Sequence, residues 1–304
     1  MSKNLSHVAT LVCNPQTPQI TQALAERART ALPNAGPVEW LSPEIAVDIP
    51  FDSQKAPCEA LREIGARLRE ALEQAPVDIV VQPLASRRKA LLLADMDSTI
   101  IGQECIDELA DLLGLKAKVA AITERAMAGE IAFEPALRAR VALLAGLDAQ
   151  TPAQVIATRI ALNPGARTLV RTMRANGAYA ALVSGGFTDF TGPIAAMVGF
   201  DENRANRLIV ENGKFDGRVE DPVLGPQAKL EALRQLRAAR GLSKAQTLTV
   251  GDGANDVPML QEAGLGVAFH AKPAVAAVAD AHIEHADLTA LLFAQGYGRD
   301  DFVD

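Results

Sequence analysis

Hydrophobic and polar residues follow two rhythms along this chain. HVATLVC (7–13) is an apolar run of strand length, and VDIVVQP (77–83) is another. Between them, CEALREIGARLREALE places Leu61, Ile64, Leu68 and Leu72 on one face, the spacing of an amphipathic helix. Thr17 and Pro18 have the chemistry of an N-cap and a first helical position, so a helix is expected to run from there through QITQALAERARTAL. Pro43 and Pro50 divide the stretch from Trp40 to Phe51 into short strands. Together these elements predict a small α+β domain over residues 1–85, in the order β-α-β-β-α-β. The polar, basic SRRK (86–89) is the expected linker.

The rhythm changes at KALLLAD (89–95), a continuous apolar run of the kind that forms a parallel strand buried on both faces. Residues 103–162 are almost wholly helix-like: CIDELADLLGL, KVAAITERAMAGE, FEPALRARVALLAGL and TPAQVIATRI. An insert of this kind between two strands reads as a helical cap. After Pro164-Gly165 comes a helix, ARTLVRTMRAN, ended by Gly177, and then the strand AYAALVS. RLIVENGKFDGRV reads as a hairpin turning at Asn212-Gly213. The helix QAKLEALRQLRAARG, the strand TLTVGD, a further helix, the strand LGVAF and DAHIEH complete the chain. Alternation of strand and helix predicts a Rossmann-like parallel α/β sheet with right-handed crossovers. Residues 86–102 and 163–304 would form this core and 103–162 its cap.

Bulk composition narrows the function. The 304 residues are 49% hydrophobic and 22% charged, enough apolar material for a core and unlike a disordered chain. A net charge of −7 disfavours nucleic acid or an anionic membrane as partner. No apolar run approaches the ~20 residues that span a bilayer. The first residues, MSKNLSHVATLVC, lack the apolar core of a secretory signal. Cys13, Cys58 and Cys105 are odd in number and widely spaced, which reads as reduced thiols. The expected setting is cytoplasmic.

Ligands bind such sheets outside the carboxyl ends of the strands. Three strands here end in polar residues: Asp95 and Asp97, then Ser184-Gly185-Gly186, then Asp252. Clustered carboxylates need a counterion, and a hard divalent cation with oxygen ligands supplies one. Asp95, Asp97 and Asp252 therefore point to Mg²⁺, which also neutralises phosphate charge in phosphoryl transfer. Gly185 and Gly186 let backbone N–H groups approach an anion, and the Ser184 hydroxyl adds a donor. Competing motifs fail on spacing. An EF-hand beginning at Asp95 would want Gly and Glu where Ile100 and Ile106 stand. GDGAND (251–256) is an incomplete dinucleotide fingerprint, and neither a Walker loop nor a G-x-S-x-G elbow occurs. HIEH (282–285) is not a zinc helix, so His282 and His285 read as surface residues. Lys229 lies near a helix start, where a cation opposes the dipole, and by itself reads as solvated surface.

DMDST, LVSGGF, Lys229 and GDGANDVPML, in that order, resemble the four motifs of the haloacid dehalogenase superfamily. DMDSTIIGQECIDELA, AMAGEIAFEPALRARVALL and ANRLIVENG extend the resemblance to its phosphoserine phosphatase family, over residues of about 88 to 295. The resemblance implies that O-phospho-L-serine is hydrolysed in the last step of serine biosynthesis. Asp95 would be the nucleophile and form an aspartyl phosphate. Asp97 would protonate the leaving serine oxygen and later activate water. Asp252 would bind Mg²⁺ together with the Asp95 carboxylate and the Asp97 carbonyl. Ser184, Gly185, Lys229 and Asn255 would hold phosphate, with Gly186 and Asp256 in support.

The cap would select the substrate. Glu104 would receive its ammonium and Arg140 would clamp its carboxylate, while Met127 and Phe133 would line the apolar side. Other small phosphates, or homoserine as phosphate acceptor, fit the same mechanism. Long members of the family carry an ACT-like region before the catalytic part. Here the first strand leads into NPQTPQ, without the Asp-x-Pro-Gly-like turn of ligand-binding members. A homodimerisation surface, an inert scaffold and an amino-acid sensor are all consistent with this region.

Overall fold

The computed structural model describes residues 5–53, 58–73, 75–127 and 130–304. The N-terminal region contains β1 (His7–Val12), α1 (Gln22–Ala31), β2 (Glu39–Ser42), β3 (Ala46–Phe51), α2 (Cys58–Ala71) and β4 (Asp78–Pro83). Its sheet has the order β2-β3-β1-β4 and is antiparallel throughout. Ile64, Leu68 and Leu72 of the α2 stripe are buried against Leu11, Ile49 and Phe51. The expected start of α1 is wrong by four residues. Thr21 is the N-cap, its side chain accepting from the Leu24 N–H. Residues 17–20 are drawn elsewhere: the Thr17 N–H closes a turn on the Asn14 carbonyl, and those of Gln19 and Ile20 donate to the Glu44 carbonyl.

The larger region begins with β5 (Leu91–Ala94). The cap follows: α3 (Cys105–Leu112), α4 (Lys116–Met127), α5 (Phe133–Ala142) and α6 (Thr151–Arg159). The chain returns through α7 (Ala166–Ala175), β6 (Tyr179–Phe187), α8 (Thr188–Val198) and β7 (Glu202–Asn206) to the hairpin β8 (Leu208–Glu211) and β9 (Lys214–Val219). It ends with α9 (Pro226–Ala239), β10 (Thr247–Gly251), α10 (Val257–Glu262), β11 (Leu265–Phe269), α11 (Pro273–Ala276), β12 (Ala281–Ile283) and α12 (Ala290–Ala294). Six strands form one sheet, β12-β11-β10-β5-β6-β7, parallel at every pairing. Leu91, Leu92, Leu93 and Ala94 of β5 are fully buried, as a central strand covered on both faces requires. The insertion of a cap after the first strand of a parallel sheet is as expected.

Three features depart from the sequence reading. β7 and α8 were not foreseen; β7 reads ENRAN, without an apolar alternation, and α8 carries Pro193 in its interior. The hairpin packs on the cap and not on the sheet, through hydrogen bonds from the Gly146 N–H to the Phe215 carbonyl (2.8 Å) and from the Ala149 N–H to the Gly213 carbonyl (3.0 Å). SRRK is anchored at every basic residue. Arg87 pairs with Asp48 at 2.6 Å, the Arg88 guanidinium lies 3.4 Å from the Tyr297 ring centre, and Lys89 Nζ donates to the Ser86 and Ala245 carbonyls. The two regions also meet at Asp78, whose carboxylate accepts the N–H groups of Glu284, His285 and Ala286. His282 and His285 are half-buried in this seam and are not surface residues. Among the described residues no helix is long and apolar enough to cross a membrane.

Candidate active site

Sheet register brings the site together. Ala94 is paired with Val250 on one side and Leu182 on the other, so the residues that follow on β5, β10 and β6 emerge side by side. Asp95 extends the ladder by donating its N–H to the Val250 carbonyl at 3.0 Å. The chain then turns about the Met96 carbonyl, which accepts from Thr99, Ile100 and Ile101. The turn holds Ser98 at φ +53°, a left-handed conformation that non-glycine residues adopt at some cost.

Lys229 corrects the sequence reading most clearly. It is 2% exposed, and its Nζ lies 2.7 Å from Asp95 Oδ1 and 2.7 Å from Asp256 Oδ1. Lys229 shares the buried face of α9 with Leu233 and Leu236, one and two turns further on. That shared stripe was the signal available in the sequence. Burial alone disfavours the ammonium charge, but Asp256 and Asp95 together outweigh it and raise the Lys229 pKa.

Acids outnumber cations here. Carboxylate oxygens of Asp95, Asp252 and Asp256 lie within 4.8 Å of one another. Burial raises the Asp95 pKa well above the usual carboxylate range; Asp256 adds to the shift and Lys229 opposes it. Asp252 is pushed up to about 6 by burial and by the charges of Asp256 and Glu104. Two oxygens remain without a donor among the described residues: Asp95 Oδ2 and Asp252 Oδ2. Both oxygens of Asp256 are engaged, by Lys229 and by the Gly253 N–H at 3.0 Å. An all-oxygen group in which acids exceed cations suits a hard divalent ion. The Asp97 carboxylate is not in this group, contrary to a simple reading of three clustered side chains.

Asp97 faces the cap and the end of β6 instead. Its Oδ1 accepts the Cys105 N–H at 3.1 Å, the first amide of α3. A methyl group on Gly186 would lie 3.1 Å from both Asp97 Oδ2 and Ser184 Oγ, a tight contact that glycine avoids. Ser184 is buried, and its hydroxyl accepts the Gly186 N–H at 2.9 Å. Burial raises the Asp97 pKa, against the bonds from Cys105. Cys105 is itself buried, and burial followed by the Asp97 charge pushes its thiol up.

Over this floor lies the cap. The Phe133 ring covers Gly185 and Gly225, where an added Cβ would lie 3.2 Å from it. Glu104 opens onto the cleft, yet enough protein surrounds it that burial, then the Asp97 charge, raise its pKa to about 7. Ser98 Oγ donates to Glu104 Oε1 at 2.7 Å. Arg140 bonds the Ala136 carbonyl and the Thr123 hydroxyl, and no carboxylate among the described residues pairs with it. Arg138, two residues earlier, is bonded to Glu134 and Asp221 at the surface. Asn255 folds over Gly253, where a Cβ would meet its Oδ1 at 2.3 Å; the structure shows no bond from it to Ser184 or Lys229. Met127 ends α4, and the expectation placed on its side chain lies outside the described residues. Ser98 and Thr99 were overlooked, although both stand inside DMDST; Thr99 Oγ1 donates to Asp252 Oδ1 at 3.2 Å.

With this geometry established, the chain can be set beside known proteins. The family model for haloacid dehalogenase-like hydrolase matches residues 92–261. A phosphoserine phosphatase of Streptomyces coelicolor is 38% identical over 296 residues, 97% of this chain and 71% of that protein. One of Albidiferax ferrireducens is 46% identical over 215 residues, 69% of this chain and 91% of that protein. The crystal structure of a probable phosphoserine phosphatase from Vibrio cholerae superposes with a TM-score of 0.74 at 30% identity, covering 98% of this chain and 88% of the other. The chain belongs to the haloacid dehalogenase-like hydrolases and, within them, to the family of these relatives, the phosphoserine phosphatases.

Proposed function

We propose that this enzyme hydrolyses O-phospho-L-serine to L-serine and inorganic phosphate through a phosphate ester on Asp95. The observation that carries the reading is the contrast between two acids two residues apart. Asp95 is held on Lys229 with its Oδ2 free, as a nucleophile requires. Asp97 bonds no cation among the described residues and has a raised pKa, as a proton carrier requires. Asp95 Oδ2 attacks phosphorus while Asp97 gives its proton to the departing serine oxygen. Asp97 then takes a proton from the water that attacks the phosphorus of the acyl phosphate, which frees phosphate and restores Asp95.

Asp95 and Asp252, with the Asp97 carbonyl, would hold Mg²⁺. The ion supplies charge neutralisation for the phosphate oxygens and, with Lys229, favours the ionised form of Asp95. Ser184, Gly185 and Lys229 receive phosphate oxygens. Glu104 and Arg140 receive the substrate's ammonium and carboxylate, and Phe133 excludes water. Residues 1–85 form a small domain, 86–102 and 163–304 the core, and 103–162 the cap, which the hairpin joins.

Phosphate release from phosphoserine, phosphothreonine and an aryl phosphate, each with Mg²⁺ and with chelator, tests the reading. Phosphoserine should be preferred and chelation should stop turnover. No release from phosphoserine with metal present refutes it. A phosphorylated alcohol among the products when homoserine is added would reassign the enzyme as a phosphotransferase.

A further inference from the structure

Two strands of chain connect core to cap, residues 99–103 and 161–163, and they are laced together. Ile101 and Leu162 form an antiparallel bridge. The Gly102 N–H donates to the Ala161 carbonyl at 3.1 Å, and Gln103 Oε1 accepts the Ala161 N–H at 2.9 Å. Asn163 completes the lacing on the core side. Its backbone N–H donates to the Ile100 carbonyl at 2.9 Å, and its Nδ2 donates to the Thr99 carbonyl at 2.8 Å. Thr99 is fully buried, and its hydroxyl reaches across to Asp252 Oδ1 at 3.2 Å. A continuous chain of bonds therefore runs from the second connection (Asn163) through the first (Thr99) to a carboxylate on a different strand of the sheet.

We propose that Thr99 and Asn163 are positioning residues for Asp252, setting the rotation of its carboxylate and tying that rotation to the seam between cap and core. The inference rests on the reading of Asp252 as a cation ligand. Thr99 occupies one oxygen of Asp252 and leaves the other for the ion. A hydroxyl in this place fixes one orientation of the carboxylate, and the threonine that carries it is fully buried. Asn163 holds the Thr99 backbone, so its side chain governs the reach of the hydroxyl without touching Asp252. Partners that orient a ligand in this way are worth about 10- to 100-fold in metal affinity.

The test is calorimetric titration of the metal-free full-length protein with Mg²⁺ alone, for the unaltered chain and for Thr99→Val, Thr99→Ser and Asn163→Ala. Thr99→Val keeps the shape and removes the donor. It should weaken Mg²⁺ binding by about 10- to 100-fold, and Thr99→Ser should recover most of the loss. Asn163→Ala should weaken binding severalfold in a protein whose circular dichroism and metal-free melting are intact. In the double variant Thr99→Val/Asn163→Ala, the second change should add little, because both act through one hydroxyl. If Thr99→Val does not fold, Asn163→Ala still decides. Unchanged Mg²⁺ affinity in folded Thr99→Val or folded Asn163→Ala overturns the proposal while leaving the proposed function intact. Absence of Mg²⁺ binding by the unaltered chain overturns both.

Discussion

Two groups of buried and half-buried aspartates lie in this molecule, and their surroundings satisfy them to different degrees. Asp78 and Asp48 stand in the seam between the N-terminal region and the core. Asp78, 1% exposed, takes three consecutive backbone N–H groups from the end of β12, the shortest bonds being 2.8 Å. Asp48 takes the Thr10 hydroxyl and the Arg87 guanidinium. In the cleft, Asp95 and Asp256 share one lysine, Asp97 has no cation partner, and one oxygen each of Asp95 and Asp252 lacks a donor among the described residues. Burial of charge is costly in both places. In the seam the surrounding donors offset the cost locally. In the cleft the deficit persists, and a cation and a phosphate are what it suits. Burial therefore does not distinguish a chemical site from an architectural one; the shortfall in donors does.

Exchanging acids for amides tests the contrast. Asp95→Asn should have the largest effect: phosphate release falls below detection because an amide does not attack phosphorus, while metal-free melting is unchanged or raised. Asp97→Asn should cost on the order of 10²-fold or more in turnover, the usual worth of a positioned acid–base group, with melting again preserved. Asp78→Ala should do the opposite, destabilising the fold by about 3 kcal/mol as buried N–H groups lose their acceptor. Urea denaturation would show this loss beside a normal turnover per folded molecule. Melting losses at Asp95 that match those at Asp78 would erase the distinction.

Arg140→Ala sharpens the comparison within the cap. It should raise KM for phosphoserine by about 10-fold or more, since a charged hydrogen-bond partner is lost, and hardly alter an aryl phosphate. Equal losses on both substrates would make the arginine structural.

The smallest expected effect is on pH dependence. Asp252 and Glu104 titrate at about 6 and about 7 in the folded protein, against ordinary values of 3.8 and 4.5. The folded state thus holds these protons more tightly than the unfolded one. Their contribution to stability is complete below about pH 4 and disappears as pH rises through 6 to 7. Metal-free protein should lose on the order of 1 kcal/mol from this source over that range, after screening by water at the cleft. Asp252→Asn should flatten the melting profile, and an unaltered profile would contradict the origin assigned to it.

The sequence carried the parts of the site that lie on strong local patterns. β5 is an apolar run ending in acids, GDGAND follows another such strand, and the cap is a block of helical periodicity. Taken by itself Lys229 reads as surface because a lysine counts as polar wherever it stands, although its spacing to Leu233 and Leu236 places it inside; only the family resemblance assigned it to the site. β7 was missed because ENRAN owes its place to hydrogen bonding with β6 and not to side-chain alternation. SRRK looked like a solvated connection because its partners, Asp48, Tyr297 and the Ala245 carbonyl, are distant in sequence. The role of Asp78 depends on donors some 200 residues later, beyond any local pattern.

Asn206 gives the hairpin an unexpected topological character. Its side chain donates to the Gly185 carbonyl and accepts the Leu224 N–H at 2.7 Å, so the excursion between 206 and 224 starts and finishes at one pinned point. The hairpin is a closed detour hung from the Ser184-Gly185-Gly186 end of β6, with its far end resting on α5. The cap is therefore steadied by three passages of chain where its insertion point supplies only two. Any swing of the lid has to drag this third tether, whose root lies five residues from Lys229.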